Sequence, residues 1–122
     1  MTPAVFVLAA LAGGVGAGLR YGLDAAVQRW LGARFPWGIL VVNLTGALAL
    51  GILSAGVVDA TGLWILGAGL LGGYTTFSSV AVTTVLLADE GRTRASVLYG
   101  AGTLVASIGL ASAGTVLGAS IA

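Results

Sequence analysis

Every charged side chain falls at one of nine positions, Arg20, Asp24, Arg29, Arg34, Asp59, Asp89, Glu90, Arg92 and Arg94. Between and beyond these positions lie four uncharged, apolar runs, 1–19, 35–58, 60–88 and 95–122. A helix needs roughly 20 apolar residues to cross the hydrocarbon of a bilayer, so the spacing of the charges predicts four crossings. Composition agrees. Of 122 residues, 58% are hydrophobic and 7% charged, against about 25% charged in a soluble domain. So few charges cannot coat a globule with a wetted surface, whereas lipid accepts an apolar one. Four spans leave no length for a soluble domain. The chain reads as an all-α membrane protein, one four-helix transmembrane domain over residues 1–122.

Span one is expected over about Ala4–Tyr21, since Met1-Thr2-Pro3 lacks the basic segment of a signal peptide. Beyond it, Leu23, Ala26, Val27, Trp30 and Leu31 recur at helical spacing, which predicts that the helix continues along the interface. Span two, about 37–58, is expected to open at Pro36, a residue at home in a first helical turn, and Trp37 suits the headgroup level. Span three, 63–87, is interrupted by Gly72-Gly73-Tyr74-Thr75-Thr76-Phe77-Ser78-Ser79. Glycine weakens a helix and serine and threonine compete for its backbone bonds, so a break is expected there. Span four covers 95–117. Glycines four apart (Gly14/Gly18, Gly18/Gly22, Gly69/Gly73, Gly114/Gly118) predict close helix packing, and so thin a bundle predicts an oligomer.

With four spans, the first and third loops share one side of the membrane. Arg20, Arg29 and Arg34 flank the first loop, and Arg92 and Arg94 lie in the third. Basic side chains mark the cytoplasmic side, so both termini are expected outside a plasma-membrane bilayer, in one fixed orientation.

Few residues could carry chemistry. Neither His nor Cys is present, which removes the commonest general base, thiolates and disulfides. A net charge of +1 gives no footprint for nucleic acid. No acid, lysine or histidine occupies the middle of a span, as a proton-coupled pump would require, and no catalytic dyad is visible, so an enzyme is not expected. Asn43 lies mid-span; it is either an interhelical hydrogen bond or the lining of an ion path. Broken helices free backbone groups that often bind ions, and the alternative at Gly72–Ser79 is a plain kink. Tyr99, Thr103 and Ser107, with Thr115 further on, stack on one face of span four. Their hydroxyls can donate to a passing anion, or bond back to the carbonyl four residues earlier. Arg20 either snorkels to the interface or forms a positive vestibule.

Taken together these residues resemble the Fluc/CrcB family of fluoride channels. Gly13-Gly14-Val15-Gly16-Ala17-Gly18-Leu19-Arg20-Tyr21 is similar to its glycine-rich first motif. Pro36-Trp37-Gly38 with Val42-Asn43 and Gly46 is similar to the second, and Gly72-Gly73-Tyr74-Thr75-Thr76-Phe77-Ser78 to the third and most diagnostic. Tyr99, Thr103 and Ser107 fall where the family has a polar track. The resemblance implies an antiparallel dimer with two narrow fluoride pores. It implies a path lined by Asn43, Phe77, Thr76, Ser78 and the span-four hydroxyls, with Arg20 at the vestibule. It also implies a structural sodium ion at the dimer centre, held by the backbone carbonyls of Gly72 and Thr75. Aromatic edges carry positive charge and suit an anion.

The chain departs from the family pattern at two positions. Val80 stands where the family has a second phenylalanine, and Thr83 where it has an acid. A homodimer of inverted subunits also requires one sequence to insert both ways, against a bias of five arginines to none. Both features predict a heterodimer with an oppositely oriented paralogue, with a homodimer as the alternative. The competing readings are a non-conducting structural or assembly subunit, kept open by Val80 and Thr83, and a small multidrug exporter, which would need a carboxylate within span one.

Overall fold

The computed structural model describes all 122 residues. Helix α1 runs Pro3–Leu31. The Thr2 hydroxyl accepts from the Val5 N–H at 3.2 Å and opens the helix, with Pro3 in its first turn. At 1.5 Å per residue α1 is about 43 Å long, so its last turns reach past a hydrocarbon core of about 30 Å. The extension expected beyond Tyr21 is therefore present. Helix α2 covers Trp37–Val57, and Pro36 stands one residue before it. Its α-helical part ends at Ile52, and within the π-helical turn Leu53–Val57 that follows, Gly56 sits at φ +92°; a left-handed backbone suits glycine because there is no Cβ to clash.

The third span is two helices. The Asp59 carboxylate accepts from the Gly62 N–H at 2.7 Å and starts α3, residues 60–74. Within it Leu63–Leu71 is π-helical, a wide winding usually confined to a single turn. Helix α4, Ser78–Asp89, follows after the break. A tight turn through Gly91 leads into α5, Thr93–Ile121.

Two helix pairs build the bundle: α1 packs on α3, and α2 packs on α5, while α1 also meets α2 and α4 meets α5. Glycine sets both principal crossings. A side chain at Gly16 would strike the Leu70 carbonyl and the Tyr74 N–H. One at Gly69 would strike the Ala9 backbone, and one at Gly73 the Gly13 backbone. On the other pair, Gly114 meets the Leu48 carbonyl and Gly118 that of Ile52. Gly69/Gly73 and Gly114/Gly118 thus pack as their spacing predicts. Gly14, Gly18 and Gly22 do not: nothing lies near them in the protomer. They fall on a different stripe of α1 from Ala9, Gly13 and Gly16, which face α3.

The Arg92 guanidinium donates to the Arg34 carbonyl, joining the first and third loops on one end of the bundle. Only 14 of the 122 residues are buried. Such a protomer has little interior of its own and depends on lipid or on another chain to cover its apolar faces.

Candidate functional site

The break in the third span is the centre of the site. Thr75 is extended, at φ −81° and ψ 158°, and the helix resumes only at Ser78. Backbone groups freed at this depth need partners, and Asn43 supplies two. Its Oδ1 accepts from the Thr76 N–H at 2.8 Å, and its Nδ2 donates to the Thr76 carbonyl at 2.9 Å. The Asn43 side chain is 8% exposed. The amide therefore clamps α2 to the break, and one of its two N–H donors stays uncommitted. On the far side the Thr76 hydroxyl accepts from the Ser79 N–H at 3.2 Å and opens α4.

The clamp leaves other groups free. The N–H of Thr76, which would have bonded Gly72 in a continuous helix, goes to Asn43, and that of Ser79, due to Thr75, goes to a hydroxyl. The carbonyls of Gly72 and Thr75 consequently accept no hydrogen bond in the protomer. Unpaired carbonyl oxygens are the ligands a hard cation prefers, so these two groups fit the cation expected at this position.

Asn43, the break residues Gly72, Thr75, Thr76 and Phe77, and Thr103 and Ser107 of α5 border one open groove of about 1090 Å³. Val80 borders it too. The groove is more than thirty times the ~30 Å³ that one water occupies, far too wide to select an ion by size. The protomer provides one wall. Phe77, 84% exposed, projects from that wall with nothing against its ring.

The hydroxyls of α5 divide in two. Thr115 bonds back to the Ala111 carbonyl at 2.9 Å, as expected in an apolar helix. Tyr99 and Thr103 do not: both side chains are buried and both hydroxyls lack any partner. Two unpaired buried hydroxyls one turn apart are costly, and the arrangement suits a site that receives a hydrogen-bonding guest. The Tyr99 ring meets Phe35 edge-on at 5.7 Å, and Phe35 in turn packs on Trp37 at 4.7 Å.

Three expected residues lie off the groove. Tyr99 is sealed beneath Phe35 at the loop end of the hydroxyl column. Ser78 is exposed, its Oγ 3.3 Å from the Thr76 hydroxyl. Arg20 lies half-buried on α1, away from the groove wall. The sequence reading did not anticipate the bond between the Tyr74 hydroxyl and Thr45 Oγ1 at 2.8 Å, which ties the break to α2 a second time. Tyr74 lies within the third motif and Thr45 beside positions of the second, but spacing alone does not pair them.

Four membrane-length helices, a broken third span and a line of unpaired donors define a small channel-type membrane subunit. Comparison with known proteins is specific. The family described as CrcB-like protein, Camphor Resistance (CrcB), matches residues 7–115. The chain is 41% identical to a "Fluoride-specific ion channel FluC" of Thermus thermophilus, covering 95% of this chain and 96% of that one. It is 40% identical to "Fluoride-specific ion channel FluC 1" of Leifsonia xyli, over 97% and 89% of the two chains. With the protein of the same name from Rubrobacter xylanophilus it shares 42% identity, over 98% and 97%. The chain belongs to the CrcB-like family.

Proposed function

We propose that this chain is a subunit of a fluoride-selective channel that lets fluoride leave the cytoplasm down its own gradient. The observation that carries the reading is the buried, unpaired hydroxyl of Thr103 beside the groove that the Asn43–Thr76 clamp also borders, with the unpaired Tyr99 hydroxyl one turn away. Fluoride is small and tightly hydrated. A path for it has to replace water with close donors, and this chain provides hydroxyls, one spare amide N–H and the positive edge of Phe77. Arg20 and the other arginines at the loop end raise the local anion concentration. Family membership supports the same reading.

A second subunit completes the path, because the groove is open and Phe77 projects from it. The inverted arrangement would bring two breaks together. There the carbonyls of Gly72 and Thr75 would hold a sodium ion, whose charge ties the two subunits when it is bound. Exchanging sodium for a large organic cation is expected to lower fluoride flux and to weaken the dimer on size-exclusion chromatography. The arginine bias and Val80 favour an oppositely oriented paralogue as the second subunit, with both termini of this chain outside the cell.

Fluoride efflux from liposomes tests the reading, comparing the chain alone with the chain plus its nearest paralogue. Flux from the pair only supports both the channel and the heterodimer. Flux from the chain alone, without chloride flux, supports the channel and removes the heterodimer. No flux from either, with tight dimerisation, indicates a structural subunit, the reading that Val80 and Thr83 keep open. Val80→Phe would then test whether the missing ring is the cause.

A further inference from the structure

Asp24 lies on α1 one turn beyond Arg20, and the channel reading gives it no role. Its carboxylate is half-buried against the first turn of α2: any side chain at Gly38 would strike Asp24 Oδ1 and the Asp24 main chain. Its side-chain partner is the Gln28 amide, 3.1 Å away on the next turn. No arginine neutralises it, since the one ion pair in the molecule joins Arg92 and Glu90 at 3.7 Å. Trp37, the neighbour of Gly38 in the chain, packs on Phe35, and Phe35 covers the Tyr99 ring, so the carboxylate and Tyr99 share one end of the bundle. Tyr99 is the donor at the loop end of the column that continues through Thr103 and Ser107. A negative charge without an ion-pair partner therefore lies at the loop end of a line of donors, at the end of the bundle where five arginines otherwise attract anions.

We infer that Asp24 sets the rate of the channel, its fixed charge opposing fluoride at the loop end of the Tyr99–Thr103–Ser107 column. The inference rests on the channel reading of that column. The positive end of α2 explains how the carboxylate is held there without a cationic partner. A plain structural role, capping that helix end, would predict the opposite effect of removing the charge.

Asp24→Asn separates the two, because asparagine keeps the shape and an acceptor for Gln28 while losing the charge. Fluoride efflux is measured from liposomes in the subunit combination that conducts. We expect Asp24→Asn to raise the initial rate about three- to tenfold at low ionic strength. The gain should shrink towards twofold or less in about 0.5 M of an impermeant salt, where screening is short-ranged. Asp24→Glu, which restores the charge, should return the rate to that of the parent. A folded, dimeric Asp24→Asn protein whose flux is unchanged or lower overturns the inference, as does a gain that salt does not reduce. A parent protein that passes no fluoride in any combination overturns the channel reading itself, so the two failures are distinct.

Discussion

Two kinds of buried polar residue meet in this molecule, and they are expected to respond oppositely to removal. Asn43 is engaged with both backbone groups of Thr76 at the break. Asn43→Leu would leave the Thr76 N–H and carbonyl unpaired, at a cost of ~1–3 kcal/mol for each group. We expect a clear fall in thermal midpoint on detergent-solubilised protein, together with loss of at least nine-tenths of the fluoride flux. Thr103 is the reverse case, since its hydroxyl is buried and unused within the protomer. Thr103→Val should leave the thermal midpoint unchanged or higher, by up to roughly 1 kcal/mol, while lowering flux several-fold. A parallel fall in both quantities would assign Thr103 to packing. The sequence placed both residues on the candidate path but left each with two readings. Those readings turn on contacts 33 residues apart for Asn43 and on the absence of a contact for Thr103. Local spacing carries neither. Thr115 is the same residue type on the same helix as Thr103, yet it bonds back to that helix.

At the scale of elements, hydropathy and charge spacing were enough to find all four spans, because lipid imposes so strong a constraint on them. The break was legible for a similar reason: Gly72 to Ser79 is poor helix material, and the chain leaves the helix at Thr75. Which glycines pack was less legible. Spacing of four puts Gly14, Gly18 and Gly22 on one stripe as surely as Gly69 and Gly73, but it does not say which stripe meets a neighbour. The π-helical winding of Leu63–Leu71 had no signal either. A matched pair of substitutions checks this assignment. Gly73→Ala drives a methyl into the Gly13 backbone and should abolish recovery of folded protein or lower its thermal midpoint by many degrees. Gly18→Ala meets open space and should be tolerated by the protomer, with any loss appearing in dimerisation.

For the whole molecule, the bonded first and third loops fix which ends lie together, and the proposed cytoplasmic side for that end rests on the arginine bias. The chain has no cysteine, so single thiols report orientation without background. In intact cells we expect Ala122→Cys to react with a membrane-impermeant maleimide and Glu90→Cys to react only after permeabilisation. Equal labelling of both would mean mixed insertion and would favour an inverted homodimer. The clamp between Asn43 and Thr76 also has a consequence in time. The ribosome adds about 5–20 residues per second, so the 33 residues between them take roughly 2–7 s to appear. Through that interval the nascent second span carries a polar amide whose mate has not yet been made. Its release into lipid should wait for the third span, so a stalled chain ending before Thr76 ought to stay beside the insertion machinery, where a site-specific crosslinker at Asn43 would find it.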